Sequence, residues 1–222
     1  MRDILIRCSS LGKIMTEPTA AARKAGEVLS VGAKTHVRQL AAQEIFGIDF
    51  EVRAKQMDKG IECEQHAIGL LNRVRGLSLE KNTERRTDGF ITGECDLFDA
   101  QRRRGHDLKC AWSAATFPIL PADAEDKDYE WQARGYMLLW DADEWEVNHA
   151  LVDTPERLIG SEPITMHIVS HIPEHMRLTT WTVKRDAEME EALRERVRAA
   201  RDYYAEVIAE FDRAHNLMRA AA

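Results

Sequence analysis

The sequence predicts an α/β (α+β) fold in which a central mixed β-sheet is flanked by helices. The first observation is the order of the hydrophobic patterns, which run helix, helix, strand, strand, helix, strand, strand, helix. The second is a composition of 44% hydrophobic and 31% charged residues, which is typical of globular proteins. Because 222 residues suffice for one core, we expect a single domain over 1–222, with its core at about 7–152 and a C-terminal strand and helical extension at about 153–222.

Helical patterns fill the first third of the chain. Residues 9–16 predict a short helix with Ser9 or Ser10 as its N-cap. Residues 17–32 hold proline, glycine and small residues, which is compatible with a mobile segment. Two further helices are expected, at 33–46 and at 55–75.

Strand patterns begin near residue 88 and are interrupted by one helix. WEVNHALVD alternates as a half-buried strand does, and QRRRG has the composition of a turn between the two strands before it. The charge-dense C-terminal segment has a helical pattern. The expected elements are strands at 88–99 and 105–112, a helix at 127–140, strands at 145–153 and 165–172, and helix through most of 173–218.

Composition excludes several classes of protein. No apolar run reaches the roughly 18 residues of a membrane span, and the first apolar stretch is too short for a secretory signal, so we expect a cytoplasmic protein without membrane association. A net charge of −7 argues against coating nucleic acid by bulk charge. The four cysteines form no CxxC pair, so we expect free thiols and no zinc ribbon.

The stretch GECDLFDAQRRRGHDLKCAW sets two acids and a lysine in a predicted strand hairpin. Alternate residues of a strand share a face, so Asp107 and Lys109 point one way while Leu108 and Cys110 point the other. With the apolar residues in the core, Asp96, Asp107 and Lys109 converge on the opposite face. An exposed hairpin face with a cross-strand salt bridge is the alternative.

Two helices carry polar residues on faces that are otherwise apolar. In KGIECEQHAIGLLNRV, Glu64 falls on the apolar stripe, where a carboxylate must be paired, protonated or bound to a metal. A structural glutamate paired with arginine is the alternative there. In YEWQARGYMLLW, Gln132 and Tyr136 lie four residues apart and share a face, as they would also do in an ordinary amphipathic helix.

These residue types suit phosphodiester hydrolysis. Oxygen ligands such as Asp96, Asp107 and Glu64 hold Mg²⁺ or Mn²⁺, and the Leu108 carbonyl can add a ligand from the same strand. The metal polarises a phosphate oxygen and lowers the pKa of a bound water. Lys109 would orient or deprotonate that water, or stabilise the charge of the transition state.

Four motifs, in order, resemble those of the PD-(D/E)xK nuclease superfamily. They are G-x-x-x-E from Gly60 to Glu64, G-x-x-D from Gly93 to Asp96, D-x-K from Asp107 to Lys109 and Q-x-x-x-Y from Gln132 to Tyr136. Together with the opening RCSSLGKIMT, they are similar to the branch that contains phage lambda exonuclease, YqaJ-type viral recombinases and RecB-type nuclease domains. The resemblance covers about 7–152 and departs from the pattern at Cys95, where the family has proline.

The resemblance implies a restriction-endonuclease-like core and cleavage of DNA that depends on Mg²⁺ or Mn²⁺. By motif position, the metal ligands would be Asp96, Asp107, the Leu108 carbonyl and Glu64. The catalytic residues would be Lys109, Glu64, Gln132 and Tyr136, of which the last two position the lysine or the scissile phosphate. Some relatives hold an iron–sulfur cluster with one cysteine before the motifs and three after them. No cysteine follows residue 110 here, so we expect no iron–sulfur cluster.

The resemblance also indicates where DNA would bind. In lambda-type exonucleases a serine and an arginine of the N-terminal segment hold the 5′ phosphate, and arginines crowd the predicted hairpin tip here. The alternatives are an N-cap role for the serines and a solvated turn at the arginines. The expected DNA contacts are Arg7, Ser9, Ser10, Arg102, Arg103 and Arg104.

The expected function is that of a phage or prophage exonuclease that acts 5′ to 3′ on double-stranded DNA ends and exposes single strand for recombination. Relatives form ring-shaped trimers, so we expect a homo-oligomer, with linear duplex DNA and a single-strand annealing protein as candidate partners. Two alternatives stay open. One is a nuclease of other polarity or substrate, including a single-strand nuclease or an endonuclease; the other is a DNA-binding recombination accessory protein that does not cut.

Overall fold

The computed structural model, which describes residues 4–50 and 54–215, has two β-sheets where the sequence predicts one. The elements of the first part are β1 (Ile6–Arg7), α1 (Leu11–Ile14), α2 (Ala20–Lys24), α3 (Val31–Phe46) and α4 (Lys55–Arg75). Those of the second part are β2 (Arg86–Thr87), β3 (Ile91–Gly93), β4 (Leu97–Asp99), β5 (Arg104–Cys110), α5 (Lys127–Trp140), β6 (Glu144–Ala150), α6 (Glu156–Ile159), β7 (Leu178–Lys184) and α7 (Ala187–Ala214). In the described ranges, no helix combines the length and apolar character that crossing a bilayer demands.

The two helices that carry predicted site residues begin and end where the sequence predicts. Asp126 precedes α5, and its carboxylate accepts the backbone N–H groups of Asp128 and Tyr129. α4 ends at Gly76, whose φ of 63° lies in the left-handed region that favours glycine. The predicted bounds 55–75 and 127–140 are confirmed. Local sequence signals such as these explain why helix ends could be predicted.

The larger sheet has the strand order β4–β5–β6–β7. β5 and β6 are parallel, and the two outer pairs are antiparallel. The register places Asp107 beside Val147 and Lys109 beside His149. Since paired residues of neighbouring strands share a face, both predicted site residues of β5 lie on one face and Leu108 on the other, as the hairpin pattern predicts.

Helices cover both faces of this sheet. α4 packs through Ala67 and Leu70 on the face that carries Leu108. α5 packs on the opposite face, where its Tyr136 and Met137 enter the main core together with residues of α1, α3 and α7. Asp107 and Lys109 therefore lie beneath α5, and the fold is a mixed sheet between helical layers.

The predicted strand at 88–99 is in fact two strands in different sheets. β3 belongs to the smaller sheet, whose order is β1–β3–β2, and β4 forms the edge of the larger one. The break falls at residues 94–96, where the chain passes from one sheet to the other. A pattern of alternation cannot show such a break, because it records burial and not the identity of the pairing strand.

The strand predicted at 165–172 is wrong. This segment forms a short 3₁₀ helix at Ile164–Met166 followed by loop. The Asp153 carboxylate accepts the backbone N–H groups of Val169 and Ser170 at 2.6 and 2.8 Å, so a side chain supplies partners that a neighbouring strand would have supplied. His167 and Val169 are buried, which explains the misleading alternation.

The prediction that 173–218 is largely helical is wrong for its first part. β7 pairs with β6 along its whole length, from Glu144 opposite Lys184 to Ala150 opposite Leu178. LTTWTVK is rich in β-branched residues, which favour strands. α7 follows and packs against α3 and α5 in the main core, so the C-terminal part is built into the same sheet and core.

Candidate active site

Asp96 lies in the break between β3 and β4, and its position follows from the shortness of β4. The β4–β5 ladder pairs Leu97 with His106 and ends there. The next outward N–H of β5, that of Leu108, donates instead to Asp96 Oδ2 at 2.6 Å. A carboxylate thus takes the place of a backbone acceptor. This hydrogen bond places the Asp96 side chain next to the C-terminal half of β5, where Asp107 lies.

Asp107 and Lys109 start a chain of side-chain contacts that ends on the break before β4. Lys109 Nζ lies 2.6 Å from Asp107 Oδ2 and donates to Gln132 Oε1 at 3.4 Å. Gln132 Nε2 donates to the Tyr136 hydroxyl at 3.2 Å, and that hydroxyl donates to the Glu94 carbonyl at 3.1 Å. The two halves of the predicted Q-x-x-x-Y motif are therefore joined to each other and to the lysine.

Two glycines allow α5 to pack closely against β3 and α1. A Cβ on Gly93 would lie 2.5 Å from a carbon of the Tyr136 ring, and a Cβ on Gly135 would lie 2.4 Å from a Leu11 methyl group. Neither position has room for a side chain. Gly60, the first residue of the G-x-x-x-E motif, has nothing within 4 Å of such a Cβ, so no steric reason for glycine exists there.

The two acids repel each other. Burial and the charge of Asp107 raise the pKa of Asp96 to about 8, against the opposing effects of the Leu108 N–H and Lys109. Burial alone would lower the pKa of Lys109, but the Asp107 carboxylate raises it above its ordinary value. The lysine is therefore held as an ammonium ion beside the Asp107 carboxylate, while the raised pKa of Asp96 favours its protonated form.

Glu64 approaches this pair from α4, on the other side of the sheet. Its charge contributes to the raised pKa of Asp96, and its carboxylate forms an ion pair with Lys81. The sequence pattern places Ile61 on the apolar stripe with Glu64, and this is wrong, because Ile61 is 61% exposed while Lys59 and Cys63 are buried. The helix is rotated from the predicted stripe, so Glu64 lies at the margin of the buried face and stays partly exposed.

The donor set fits a hard divalent cation only in part. Within residues 4–50 and 54–215, no three His, Cys, Asp or Glu side chains are spaced to hold a metal ion. Asp96 and Asp107 nevertheless present oxygen donors whose mutual repulsion a divalent cation would relieve. The residues that would hold it are these two acids with the Leu108 carbonyl, while Glu64 is engaged with Lys81.

The N-terminal segment lies against the elements that carry the site. Arg7 belongs to β1, which pairs with β3, and a short 3₁₀ helix at Cys8–Ser10 packs against α5. Arg7 and Ser9 are exposed and Ser10 is half-buried. Ser10 takes the N-cap position of α1 without a side-chain hydrogen bond, so the expected N-cap bond is absent from the described residues.

The three arginines of the hairpin tip lie at the far end of β5 from Lys109, about 17 Å away at roughly 3.3 Å per residue. Each one is paired with acids. Arg102 contacts Asp99, Arg103 contacts Asp141 and Asp143, and Arg104 contacts Glu144 and Glu146. The structure thus brings the acids and lysine of the hairpin together with Gln132 and Tyr136 and places Glu64 at their margin. It sets the N-terminal segment against β3 and α5, and it places these arginines at the other end of β5.

Three residues near the site were missed from sequence. Lys59 is completely buried, and its Nζ donates to the carbonyls of Ala111 (2.6 Å), Trp112 (3.0 Å) and Val152 (2.9 Å). Tyr129 lies under the Lys109 ammonium, and its ring contacts that of His149. A signal existed for Lys59, which stands four residues before Cys63 on the buried side of α4. The contacts of Tyr129 and His149 depend on strand pairing, which no local pattern reveals.

A mixed sheet whose central strand presents D-x-K beneath a helix with Q-x-x-x-Y, and whose edge presents a further aspartate, defines a nuclease of the PD-(D/E)xK class. Comparison with solved structures agrees. A phage-related exonuclease from Haemophilus somnus 129PT matches with a TM-score of 0.88 and 39% identity, over 95% of this chain and 97% of that chain. This chain therefore belongs to the family of phage-related exonucleases within that superfamily.

A more distant match shows the same fold. The alkaline exonuclease LHK-Exo from Laribacter hongkongensis has a TM-score of 0.68 and 15% identity, over 96% of this chain and 94% of that one. LHK-Exo in complex with dAMP matches with a TM-score of 0.64. No protein-family model matches the chain, and no curated protein does.

Proposed function

We propose that the chain is a DNA exonuclease that hydrolyses phosphodiester bonds with Mg²⁺ or Mn²⁺ and acts 5′ to 3′ on double-stranded ends in phage or prophage recombination. The observation that carries the proposal is the convergence of Asp96, Asp107 and Lys109 at one end of the sheet. Membership of the phage-related exonuclease family supports it.

In the proposed mechanism the chain supplies binding, charge and orientation. Asp96, Asp107 and the Leu108 carbonyl would hold a divalent cation, which when bound polarises a phosphate oxygen and lowers the pKa of a water. Burial would lower the pKa of Lys109, but the Asp107 carboxylate raises it in this structure, and Lys109 would orient or deprotonate the water or donate to a phosphate oxygen. Gln132, itself hydrogen-bonded to Tyr136, would hold Lys109 beside Asp107.

The N-terminal segment is our proposed site for the 5′ phosphate. Arg7, Ser9 and Ser10 lie beside β3, which leads to Asp96, and α5, whose Gln132 contacts Lys109. Their partial exposure supports the proposal. Contact of Arg102, Arg103 and Arg104 with DNA stays a prediction, which their existing ion pairs and distance from Lys109 weaken.

The assembly and cellular setting are proposed from the resemblance. We propose a ring-shaped homotrimer that encloses duplex DNA, cytoplasmic location in a bacterial host, and cooperation with a single-strand annealing protein. A closed ring would also explain how a chain of net charge −7 retains DNA, since each subunit would add its basic side chains to one channel.

The test is digestion of linear duplex DNA labelled at the 5′ or the 3′ end of one strand, beside a closed circular duplex, with Mg²⁺ or with EDTA. We expect Mg²⁺-dependent release of short products from the 5′ label and an intact circle. Release from the 3′ label would reverse the polarity, and a cut circle would indicate an endonuclease. Binding of DNA without cleavage under several metals and pH values would favour an accessory protein.

The site assignment is tested by Asp107→Asn and Lys109→Met. Asp107→Asn should abolish cleavage and Lys109→Met should lower it to a small residual rate, because the carboxylate binds the cation and the ammonium faces the phosphate. Both should leave the circular dichroism spectrum unchanged. Asp202→Asn and Lys24→Met, at exposed positions of α7 and α2, are the matched controls. Cleavage at the parental rate by either site variant would contradict the assignment.

A further inference from the structure

The aromatic face of Tyr129 forms one wall around the Lys109 ammonium group. Lys109 Nζ lies 4.4 Å from the centroid of the Tyr129 ring. Tyr129 stands three residues before Gln132 on α5, so both side chains project from the same side of the helix toward the lysine. Tyr129 lies outside the four motifs on which the family resemblance rests.

Neighbouring groups fix the ring from two directions. The backbone N–H of Tyr129 donates to the Asp126 carboxylate at 3.1 Å, which ties its position to the start of α5. The ring also lies 6.1 Å from that of His149, which is the β6 residue paired with Lys109. His149 Nε2 is buried and has no hydrogen-bond partner in the described residues, so this imidazole takes none of the ammonium's hydrogen bonds.

The arrangement leaves one donor of the lysine available. An ammonium group has three N–H donors and no acceptor. Asp107 takes one and Gln132 takes a second. The face of an aromatic ring attracts a cation and excludes water from that side, and it does so without forming a conventional hydrogen bond.

We propose that Tyr129 is a positioning residue of this nuclease. Its ring face holds the Lys109 ammonium against Asp107 and Gln132, so that the third N–H points toward the phosphate that is cleaved. This inference rests on the proposed role of Lys109. The hydroxyl group of Tyr129 takes no part in it, and the ring itself carries the effect.

The experiment compares Tyr129→Phe with Tyr129→Leu in the full-length protein. Tyr129→Phe keeps the aromatic face and should cut linear duplex within about twofold of the parental kcat. Tyr129→Leu should lower kcat about tenfold or more, because the ammonium loses one of its three neighbours. DNA affinity, measured with Ca²⁺ in place of Mg²⁺, should stay within about twofold for both, since the phosphate contacts are unchanged.

A double-mutant cycle separates action through Lys109 from general damage. In a Lys109→Met background, Tyr129→Leu should cause no further loss, because the group it positions is gone. Tyr203→Leu is the matched control. Tyr203 lies under Lys34 and Arg38 at a distance from the site, and its removal should leave kcat unchanged.

The outcomes that overturn the inference are distinct. A parental kcat for Tyr129→Leu, or an equal loss for the Phe and Leu variants, would exclude a role for the ring face. An additive loss in the Lys109→Met background, or weaker DNA binding that accounts for the whole loss, would indicate a structural or DNA-binding role. If Lys109→Met itself cut at the parental rate, the proposed role of Lys109 would fail together with this inference.

Discussion

Three lysines show how strongly the surroundings decide what one residue type does. Lys109 is paired with an aspartate, an amide and an aromatic face. Lys81 is bound to the Glu64 carboxylate, partly in solvent. Lys59 is buried among three carbonyl groups. The D-x-K motif identifies the first of these. The spacing of Lys59 from Cys63 is a local signal for the third, while nothing in the local sequence distinguishes Lys81 from the remaining lysines.

Replacing Asp96 should change how stability depends on pH. The pKa of Asp96 is raised from 3.8 to about 8 in the folded protein, so between these values the folded state holds a proton that the unfolded state has released. Stability therefore falls as pH rises through this window, by up to about 1.4 kcal/mol per pH unit. Asp96→Asn should remove that loss. Calorimetric Tm values in EDTA, from about pH 5 to about pH 8, measure it.

Asp99 on β4 provides the matched control. Burial would raise the pKa of Asp99, but the hydrogen bonds from Arg102 lower it below the ordinary value. Its stabilisation is therefore lost as pH falls, and Asp99→Asn should flatten the acid side of the Tm profile. Identical profiles for Asp96→Asn and the parent would show that Asp96 does not titrate in this window.

Removing the buried ammonium of Lys59 should destabilise the chain. Lys59→Met leaves three interior carbonyls without this donor, and we expect a loss of about 3 kcal/mol in the free energy of unfolding. Urea denaturation followed by circular dichroism measures it. Lys55→Met, at an exposed position in the first turn of the same helix, should change the value by less than about 0.5 kcal/mol.

At the scale of elements, local signals were predictable and pairing partners were not. The left-handed Gly76 ends α4 and the Asp126 cap begins α5, so these two bounds follow from local sequence. The false strand at 165–172 shows the opposite case, because the Asp153 carboxylate replaces a strand partner there. β7 was missed because it is continuous in sequence with a charge-dense helix, although its β-branched residues were visible.

The close contact between β3 and α5 makes a second prediction at this scale. Gly93→Ala would place a methyl group 2.5 Å from the Tyr136 ring and 2.9 Å from the Cys8 sulfur. We expect a loss of about 1–3 kcal/mol in stability from overpacking, and slower cleavage as Tyr136 and Gln132 shift. Urea denaturation and the rate on linear duplex measure the two effects.

Gly60→Ala is the matched variant for this test, and it should act in the opposite direction. Gly60 lies inside α4 with open space around it, so alanine should raise stability by about 0.5–1 kcal/mol through helix propensity. A loss of stability in Gly60→Ala would mean that the motif glycine has a role that its surroundings do not show.

At the scale of the whole molecule, the site lies where separate parts meet. Asp96 stands at the passage from the smaller sheet to the larger one, Asp107 and Lys109 come from the central strand, and the helix above them carries the amide and phenol groups. The motifs predicted that these residues would lie close together, and the structure places them so. The break between β3 and β4 that positions Asp96 and the contact of the Tyr129 ring with Lys109 arise between segments far apart in sequence. Sequence patterns therefore did not reveal them.

Different interactions stabilise the two ends of β5. Just before its beginning, Arg103 pairs with the solvent-exposed Asp141 and Asp143, whereas just past its end the interior ammonium of Lys59 donates to backbone carbonyls. Salt screens the first kind of contact and scarcely affects the second. Ionic strength thus acts on one end of the strand alone. A loss of cleavage in moderate salt would therefore indicate weaker binding of DNA phosphates, with the arrangement of the active site unchanged.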